Sequence, residues 1–469
     1  MLERLKRCFL LAMLRRQTPD ALRSRAQGGL GAVLASAARR SRAYATLLGE
    51  AGVAPADLSA PEAILRAPIL EKENTFQRFS IDELLGRDVR RDQLASVLTS
   101  SGYGSISFGF GLSDRAEQAM TPGAIDLGLQ HAFGVDDRRT LLINTLPMGV
   151  VFESRAACVS NVSVREDMAF AILRQAGPLF EQIILVVDPL FGKRFLDYAE
   201  ERGYDLAAQR INMVIGEETF QEPYRDYLHQ RLGIEEGQAG APLLGSSMGV
   251  GELGLNLFFE TPETIAYRRA RHVRDPWNRQ PVVFCYNPLR SWVEVHEPDE
   301  QGVGDLLVTM MDKRSTIPLP RYRTGDRVKL LEASDLEGLA PAVQEGMRSL
   351  PFPVLLMYGR DRDQLAPHWH VDDFKSLQYR DPSLARQLSG AFRVGARDGA
   401  PVWHVQAARD ASVACSDIEG RLAGLVAQRC EALDAAPLAQ LRVYEYERFP
   451  YGMGLDYERK FRYGGTLVD

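Results

Sequence analysis

The stretch GDLLVTMMDKRSTIPLPRYRTGD, residues 304–326, decides how this chain is read. Asp305 to Met311 is strand-like, and a second strand-like run, Arg327 to Leu331, follows the stretch. Between them Tyr322-Arg323-Thr324-Gly325-Asp326 reads as a tight connection, in which Gly325 relieves backbone strain and Asp326 can face a ligand. The same five residues also describe a polar hairpin turn with a surface carboxylate. The surrounding segments have to decide between the two.

Toward the N-terminal side, residues 243–260 read LLGSSMGVGELGLNLFFE and set Glu252 in glycine-rich, apolar company. Such an acid is either exposed in a loop or, if buried, needs a cation or hydrogen-bond donor beside it. Residues 94–112, LASVLTSSGYGSISFGFGL, run through an apolar approach into Thr99–Ser105 and then alternate small and aromatic residues. A turn of this composition can present hydroxyls and backbone N–H groups to an anion, or it can be a plain glycine-rich turn. It has neither the lysine nor the spacing of a Walker loop.

Toward the C-terminal side, the apolar run Pro351 to Met357 ends in Tyr358-Gly359-Arg360-Asp361-Arg362-Asp363, a polar group suited to an interdomain linker. Beyond it, strand-like Val402–Val405, helix-like Asp417–Leu433 and strand-like Leu441–Tyr446 are enough for a small domain. Residues 121–240 alternate strand candidates (Leu141–Ile143, Ile183–Val187, Ile211–Ile215) with helix candidates (Ser163–Gln175, Phe191–Arg202, Pro223–Leu232). That is the rhythm of a layered α/β domain. Residues 1–90 read as mostly helical. The expected organisation is an N-terminal helical layer over 1–90, a core over 91–359 that completes a large α/β domain, and a small domain over 360–469.

The 469 residues are 45% hydrophobic and 25% charged, which fits a globular chain with a sizeable core. A formal charge of -6 gives no electrostatic case for a nucleic-acid partner. The five cysteines form no CxxC pair, so neither a structural zinc site nor a disulfide scaffold is expected, and a cytoplasmic setting fits. Cys158, Cys415 and Cys430 read as buried structural thiols. His368 and His370, flanking Trp369 ahead of Asp372-Asp373, read as a polar surface loop rather than a metal site. The apolar run Cys8 to Leu14 is too short for a transmembrane segment and lacks a signal-peptide pattern. It reads as an amphipathic helix docked on the body, with a membrane-surface or partner contact as the alternative.

Five segments, taken together, resemble the adenylate-forming superfamily, and most of all its phenylacetate–coenzyme A ligase-like branch. TSSGYG at 99–104 resembles the family's phosphate loop, IGEETF at 215–220 its glycine-acid segment, and MGVGE at 248–252 its aromatic-Gly-x-x-Glu motif. The stretch 304–326 is the strongest match, and YGRDRD at 358–363 resembles the hinge motif. The order and spacing hold over roughly residues 35–469. The phosphate loop departs from the family pattern: it is shortened, has Tyr103 at a small hydroxyl position, and is followed by no lysine. Met248 stands where an aromatic is usual.

The resemblance implies a large N-terminal α/β domain of layered sheets and helices with a small mobile α+β C-terminal domain. It implies ATP and Mg2+, a carboxylic acid substrate, and coenzyme A as acceptor, with a carrier protein or an amine as alternative acceptors. A weakly catalytic nucleotide-binding relative and a homodimer stay open. Residue by residue, it implies that Ser100, Ser101, Gly102 and Gly104 cradle the triphosphate and that Glu252 sits near Mg2+ and the phosphates. Asp326 would hold the ribose, and Glu217, Gly249 and Val250 would line the nucleotide or acyl pocket. Arg360 would belong to the hinge, and Lys460 would be the adenylation lysine. Residues 147–152, PMGVVF, would line part of the acid pocket and favour an aromatic or apolar acid.

Overall fold

Eleven strands of the described residues form one large sheet whose pairing changes halfway across. The computed structural model describes residues 2–99, 108–147, 149–235, 238, 240–452 and 461–468. One half of the sheet runs Ser291–His296, Gly304–Met310, Tyr322–Leu330, Val354–Gly359, Val282–Tyr286, Gly254–Phe259 and Leu244–Val250, all antiparallel. From Leu244–Val250 the sheet continues in parallel through Ile211–Ile215, Gln182–Val187, Thr140–Asn144 and Cys158–Asn161. Composition explains the difference. QIILVV at 182–187 and TLLIN at 140–144 are buried at every position, as parallel strands covered on both faces must be. The strand Gln182–Val187 stops where Asp188 caps the next helix, accepting from the N–H groups of Leu190 and Phe191, with Pro189 in the first turn.

The helices Pro19–Arg40 and Arg42–Glu50 lay Leu30, Leu34, Ala37, Tyr44 and Leu48 on the antiparallel half, against Val293, Leu306, Val308 and Tyr322. Approach is close enough that a Cβ at Gly31 would fall 2.2 Å from the Leu58 carbonyl oxygen. The helix Leu2–Leu14 is held differently. Its buried Arg7 pairs with Asp136, Nε to Oδ2 at 3.0 Å, and lies 3.6 Å from Asp126. It therefore docks on the body.

A smaller α+β domain follows the large α/β one, as expected. Its sheet pairs Leu388–Arg397 antiparallel with Ala400–Ala407, and the latter parallel with Gln440–Tyr444. Helices Val371–Tyr379 and Cys415–Leu433 close its core around Trp369, Phe374, Phe392 and Trp403. The two domains touch through Tyr379, whose ring lies 4.7 Å from Tyr224, and through Arg380 stacked 3.8 Å over Trp277.

Three expectations are corrected. YRTGD is no connection between strands, because Tyr322–Leu330 is one continuous strand paired on both sides. The His368–Asp373 segment is no surface loop. Trp369, His370, Asp372 and Asp373 are all buried, because His370 caps the helix Val371–Tyr379 at the domain junction. The three thiols are not buried: Cys158 is exposed and Cys415 and Cys430 are partly so, leaving Cys285 as the buried one.

Candidate active site

A cleft of about 460 Å³ lies between the two domains, bordered on one side by the strand Leu244–Val250 at which the pairing changes. Its first wall is the strand Tyr322–Leu330. Asp305 of the neighbouring strand faces Arg327 and Leu307 faces Arg323, so Thr324, Gly325 and Asp326 bulge out opposite a single residue. Gly325 makes this possible with φ +82°, the left-handed region that favours glycine. The Asp326 N–H donates to Thr324 Oγ1 at 3.3 Å, and the bulge turns the carboxylate toward the cleft. Asp326 Oδ1 accepts from Arg360 Nε at 3.0 Å. Its Oδ2 is buried with no hydrogen-bond partner among the described residues.

Glu252 lies just past Leu244–Val250, in the turn closed by the Leu253 N–H to the Val250 carbonyl at 2.8 Å. It is buried, and Lys72 Nζ stands 3.3 Å from its Oε1. The cation that burial of this acid demands is therefore Lys72. Tyr322 also bonds to Glu252. Burial, and after it the Glu252 charge, holds the Tyr322 hydroxyl well above its ordinary range, so it stays a neutral donor. Room for the carboxylate comes from Gly109, where a Cβ would lie 2.1 Å from Glu252 Oε1. That explains one of the alternating glycines of the 94–112 stretch.

The third wall is the segment after Ile211–Ile215. Glu217 adopts φ +65° there, and Glu217, Glu218 and Thr219 face the cleft. The small domain answers them with the helix Val371–Tyr379. Lys375 Nζ lies 3.1 Å from Glu218 and 3.6 Å from Asp372, and the Thr219 hydroxyl donates to Asp372 at 3.0 Å. Burial alone would raise the Asp372 carboxyl, but Lys375, His370, Arg279 and the Thr219 hydroxyl outweigh it and bring it to about 2. Burial would likewise lower the Lys375 ammonium, yet Glu218 and Asp372 prevail and raise it, so it stays charged.

His370 sits beside this group. Burial, more than any charge, lowers its pKa, so the ring is neutral near pH 7. Its Nδ1 accepts from the Asp372 N–H at 3.1 Å, which leaves the proton on Nε2. That Nε2 is buried, borders the cleft and has no hydrogen-bond partner among the described residues.

Of the residues singled out from sequence, Glu217, Gly249, Val250, Glu252, Asp326 and Arg360 all border this one cleft. Ser100, Ser101, Gly102, Gly104 and Lys460 lie outside the described residues. Their described neighbours Thr99 and Phe461 border the cleft too. Within 147–152, Val150 borders it and Met148 is outside the described residues. Sequence reading missed Lys72 and Lys375, and it set His370 in a surface loop. Lys72 stands in Glu71-Lys72-Glu73, which looks like any solvated charged run. Lys375 and His370 were hidden in a segment whose polarity reads as loop.

No group of three or more His, Cys, Asp or Glu side chains among the described residues could cage a metal alone. Glu252 nevertheless suits a hard divalent cation that takes one carboxylate and draws its other ligands from phosphates and water.

No family model matches the chain, and no curated protein matches its sequence. Its fold is similar to crystal structures of 2-hydroxyisobutyryl-CoA ligase. The structure in the postadenylation state with R3-HIB-AMP has 12% sequence identity and a TM-score of 0.69, covering 96% of this chain and 90% of that one. The same ligase with 2-HIB-AMP in that state gives 13% and 0.66, with 96% and 90% covered. In the thioesterification state with 2-HIB-AMP and CoA it gives 14% and 0.57, with 96% and 91% covered. At these identities the likeness establishes a shared two-domain fold.

Proposed function

We propose that this chain is an AMP-forming acid–thiol ligase of the adenylate-forming superfamily, phenylacetate–coenzyme A ligase-like. It activates an aromatic or otherwise apolar carboxylic acid with ATP as an acyl adenylate and passes the acyl group to the thiol of coenzyme A. One observation carries the reading. Asp326 Oδ2 and His370 Nε2, from separate segments and one from each domain, converge on one cleft beside the Glu252–Lys72 pair as buried polar atoms without hydrogen-bond partners among the described residues. Buried polar atoms are ordinarily satisfied, and such a set is explained by a polar ligand that completes it.

The residues then divide the work. Asp326 Oδ2 accepts from a ribose hydroxyl, and the bulge holds it in place beforehand. Lys72 brings positive charge to the phosphate end beside Glu252. Ser100, Ser101, Gly102 and Gly104 cradle the triphosphate, and Lys460 meets the charge that develops at the transferring oxygens. Glu252, together with the phosphates, would hold Mg2+, which would supply charge screening. In the first step a carboxylate oxygen of the acid bonds to the α-phosphorus, and the bridging bond to the β-phosphate breaks to release pyrophosphate. In the second, the thiol sulfur bonds to the acyl carbon, AMP leaves with the old acyl oxygen, and the thiol proton is lost to solvent. Val150, Met248 and Leu255 give the cleft an apolar stretch suited to the acid. We place the domain boundary at 359/360, with the small domain turning about Arg360-Asp361 between the steps.

The test is pyrophosphate release over a panel of aromatic and aliphatic acids, with coenzyme A, a carrier protein and amines offered separately and products identified by mass. Release with an apolar acid, and a coenzyme A thioester as product, is the expected result. ATP binding without release for any acid would make the chain a nucleotide-binding protein. Acyl transfer only to a carrier or an amine would move the acceptor.

A further inference from the structure

We infer that the helix Leu2–Leu14 is a peripheral docking surface for an anionic membrane interface, lying on the bilayer rather than crossing it. The helix is apolar on the side that faces solvent. Leu2, Leu5, Phe9 and Met13 follow one another at steps of three and four residues and are 79%, 60%, 63% and 45% exposed. That spacing puts them on one stripe. The opposite face is already used: Arg7 is buried in its pairs with Asp136 and Asp126, and Leu10, Leu11 and Leu14 are half-buried against the body. A surface helix normally presents polar groups to water. Here the body has taken one side and the second apolar side is left over.

The charges around the stripe choose its occupant. Lys6, Arg15 and Arg16 are exposed beside or just past it, against Glu3 as the one acid of the helix itself, while Arg4 is paired with exposed Asp137 at 2.7 Å and the whole chain carries a formal charge of -6. A basic, apolar edge on an otherwise acidic molecule complements lipid headgroups of negative charge and turns the rest of the protein away from them. Size argues against a second copy. A helix of 13 residues is about 20 Å long, so its stripe offers on the order of 200 Å², far below the ~800 Å² per partner of a stable interface. Four apolar side chains at the headgroup level need no such area. No helix of the described residues is long and apolar enough to cross a membrane, which agrees with a helix that lies flat.

The inference does not depend on the ligase reading. It is tested by sedimentation of the full chain with vesicles of phosphatidylcholine, alone and mixed with phosphatidylglycerol. The expected result is sedimentation with the mixed vesicles, weakened by salt and at least about tenfold weaker with phosphatidylcholine alone. Leu5→Glu/Phe9→Glu should abolish it, with an unchanged melting temperature because both side chains face solvent. Lys6→Glu/Arg16→Glu should remove the preference for anionic lipid and serves as the independent variant should the first fail to fold. No sedimentation of the natural chain with mixed vesicles, or equal sedimentation of the first variant when folded, overturns the proposal. So does a dimer by light scattering that Leu5→Glu/Phe9→Glu dissolves, since the stripe would then belong to a second copy.

Discussion

Two charged contacts reach across the cleft from the small domain, and they are built in opposite ways. At one end Arg360 Nε meets Asp326 Oδ1, with the arginine side chain 31% exposed and Asp326 Oδ2 left without a hydrogen-bond partner among the described residues. At the other, Lys375, Glu218, Asp372 and the Thr219 hydroxyl form a cluster whose charged side chains are 15%, 8% and 5% exposed. Water and ligand can compete for the first contact. The second is largely buried at the edge of the same cleft and internally matched, so it fixes how the small domain sits. A carboxylate poised for ligand and a carboxylate committed to structure are thus told apart by which of their oxygens remain unmatched.

The largest effect that separates them is Lys375→Met. It leaves the largely buried Glu218 and Asp372 without their shared cation, and removing one partner of such a pair costs on the order of 3 kcal/mol. Denaturant unfolding followed by protease cutting within 358–363 should show the small domain released first. ATP affinity, measured by calorimetry, should move less than about threefold, the equivalent of well under 1 kcal/mol. Lys375→Met/Glu218→Gln should recover part of the loss by removing one of the stranded charges.

Asp326→Ala tests the other contact and should do the reverse. Its loss removes a charged acceptor from the cleft, a hydrogen bond of about 2 kcal/mol, so ATP should bind roughly thirtyfold more weakly. The melting temperature should hardly change, because the lost partner is a half-exposed arginine. Equal losses of stability in the two variants would erase the distinction between the contacts.

The same distinction was only partly legible in the amino-acid sequence. The α/β rhythm from Leu141 to Leu232 could be read because its central parallel strands carry buried apolar runs, Leu141–Ile143 and Ile183–Val187. The segments bordering the cleft could be read because their glycines and acids stand apart from their surroundings. Asp326 was seen, but its backbone was misjudged. Thr-Gly-Asp carries a local turn signal, whereas pairing with Gly304–Met310 on one side and Val354–Gly359 on the other turns it into a bulge within a strand. Local propensity cannot register that non-local pairing. The cluster around Lys375 was invisible for a related reason. Polar residues that bury one another at a domain junction have the composition of a loop, and only the fold supplies their partners.

Acid should act on the buried cluster around Lys375 at modest strength. The folded Asp372 carboxyl, at about 2, lies below its unfolded value, so its contribution is fully present above about pH 4 and is lost as pH falls through 2. Its size is on the order of 2 kcal/mol. His370, lowered by burial, has the same sign in a higher window, since the unfolded ring takes up its proton first as pH drops below about 6.5. Stability measured from pH 7 downward should therefore fall in two stages. Asp372→Asn should remove the lower stage and keep the upper one, and a single unchanged slope in that variant would assign the lower stage elsewhere.

The smallest expected effect is the most discriminating one. Arg360→Gln breaks the half-exposed contact while leaving Asp326 in its bulge. Exposed pairs contribute about 0–1 kcal/mol, so unfolding stability should shift by less than ~1 kcal/mol, against the roughly threefold larger cost at Lys375. ATP affinity should also move little, because two changes oppose each other. Asp326 loses a positive neighbour that orients its Oδ1, and the same carboxylate is released to meet the ligand with both oxygens. Calorimetry at low and high salt separates them. The natural chain should show the steeper salt dependence of ATP binding, since Arg360 adds a cation to the lining of the cleft. If Arg360→Gln instead destabilised the protein as strongly as Lys375→Met, the contact at Asp326 would be a structural tie, and the unmatched Oδ2 would have to be explained without a ligand.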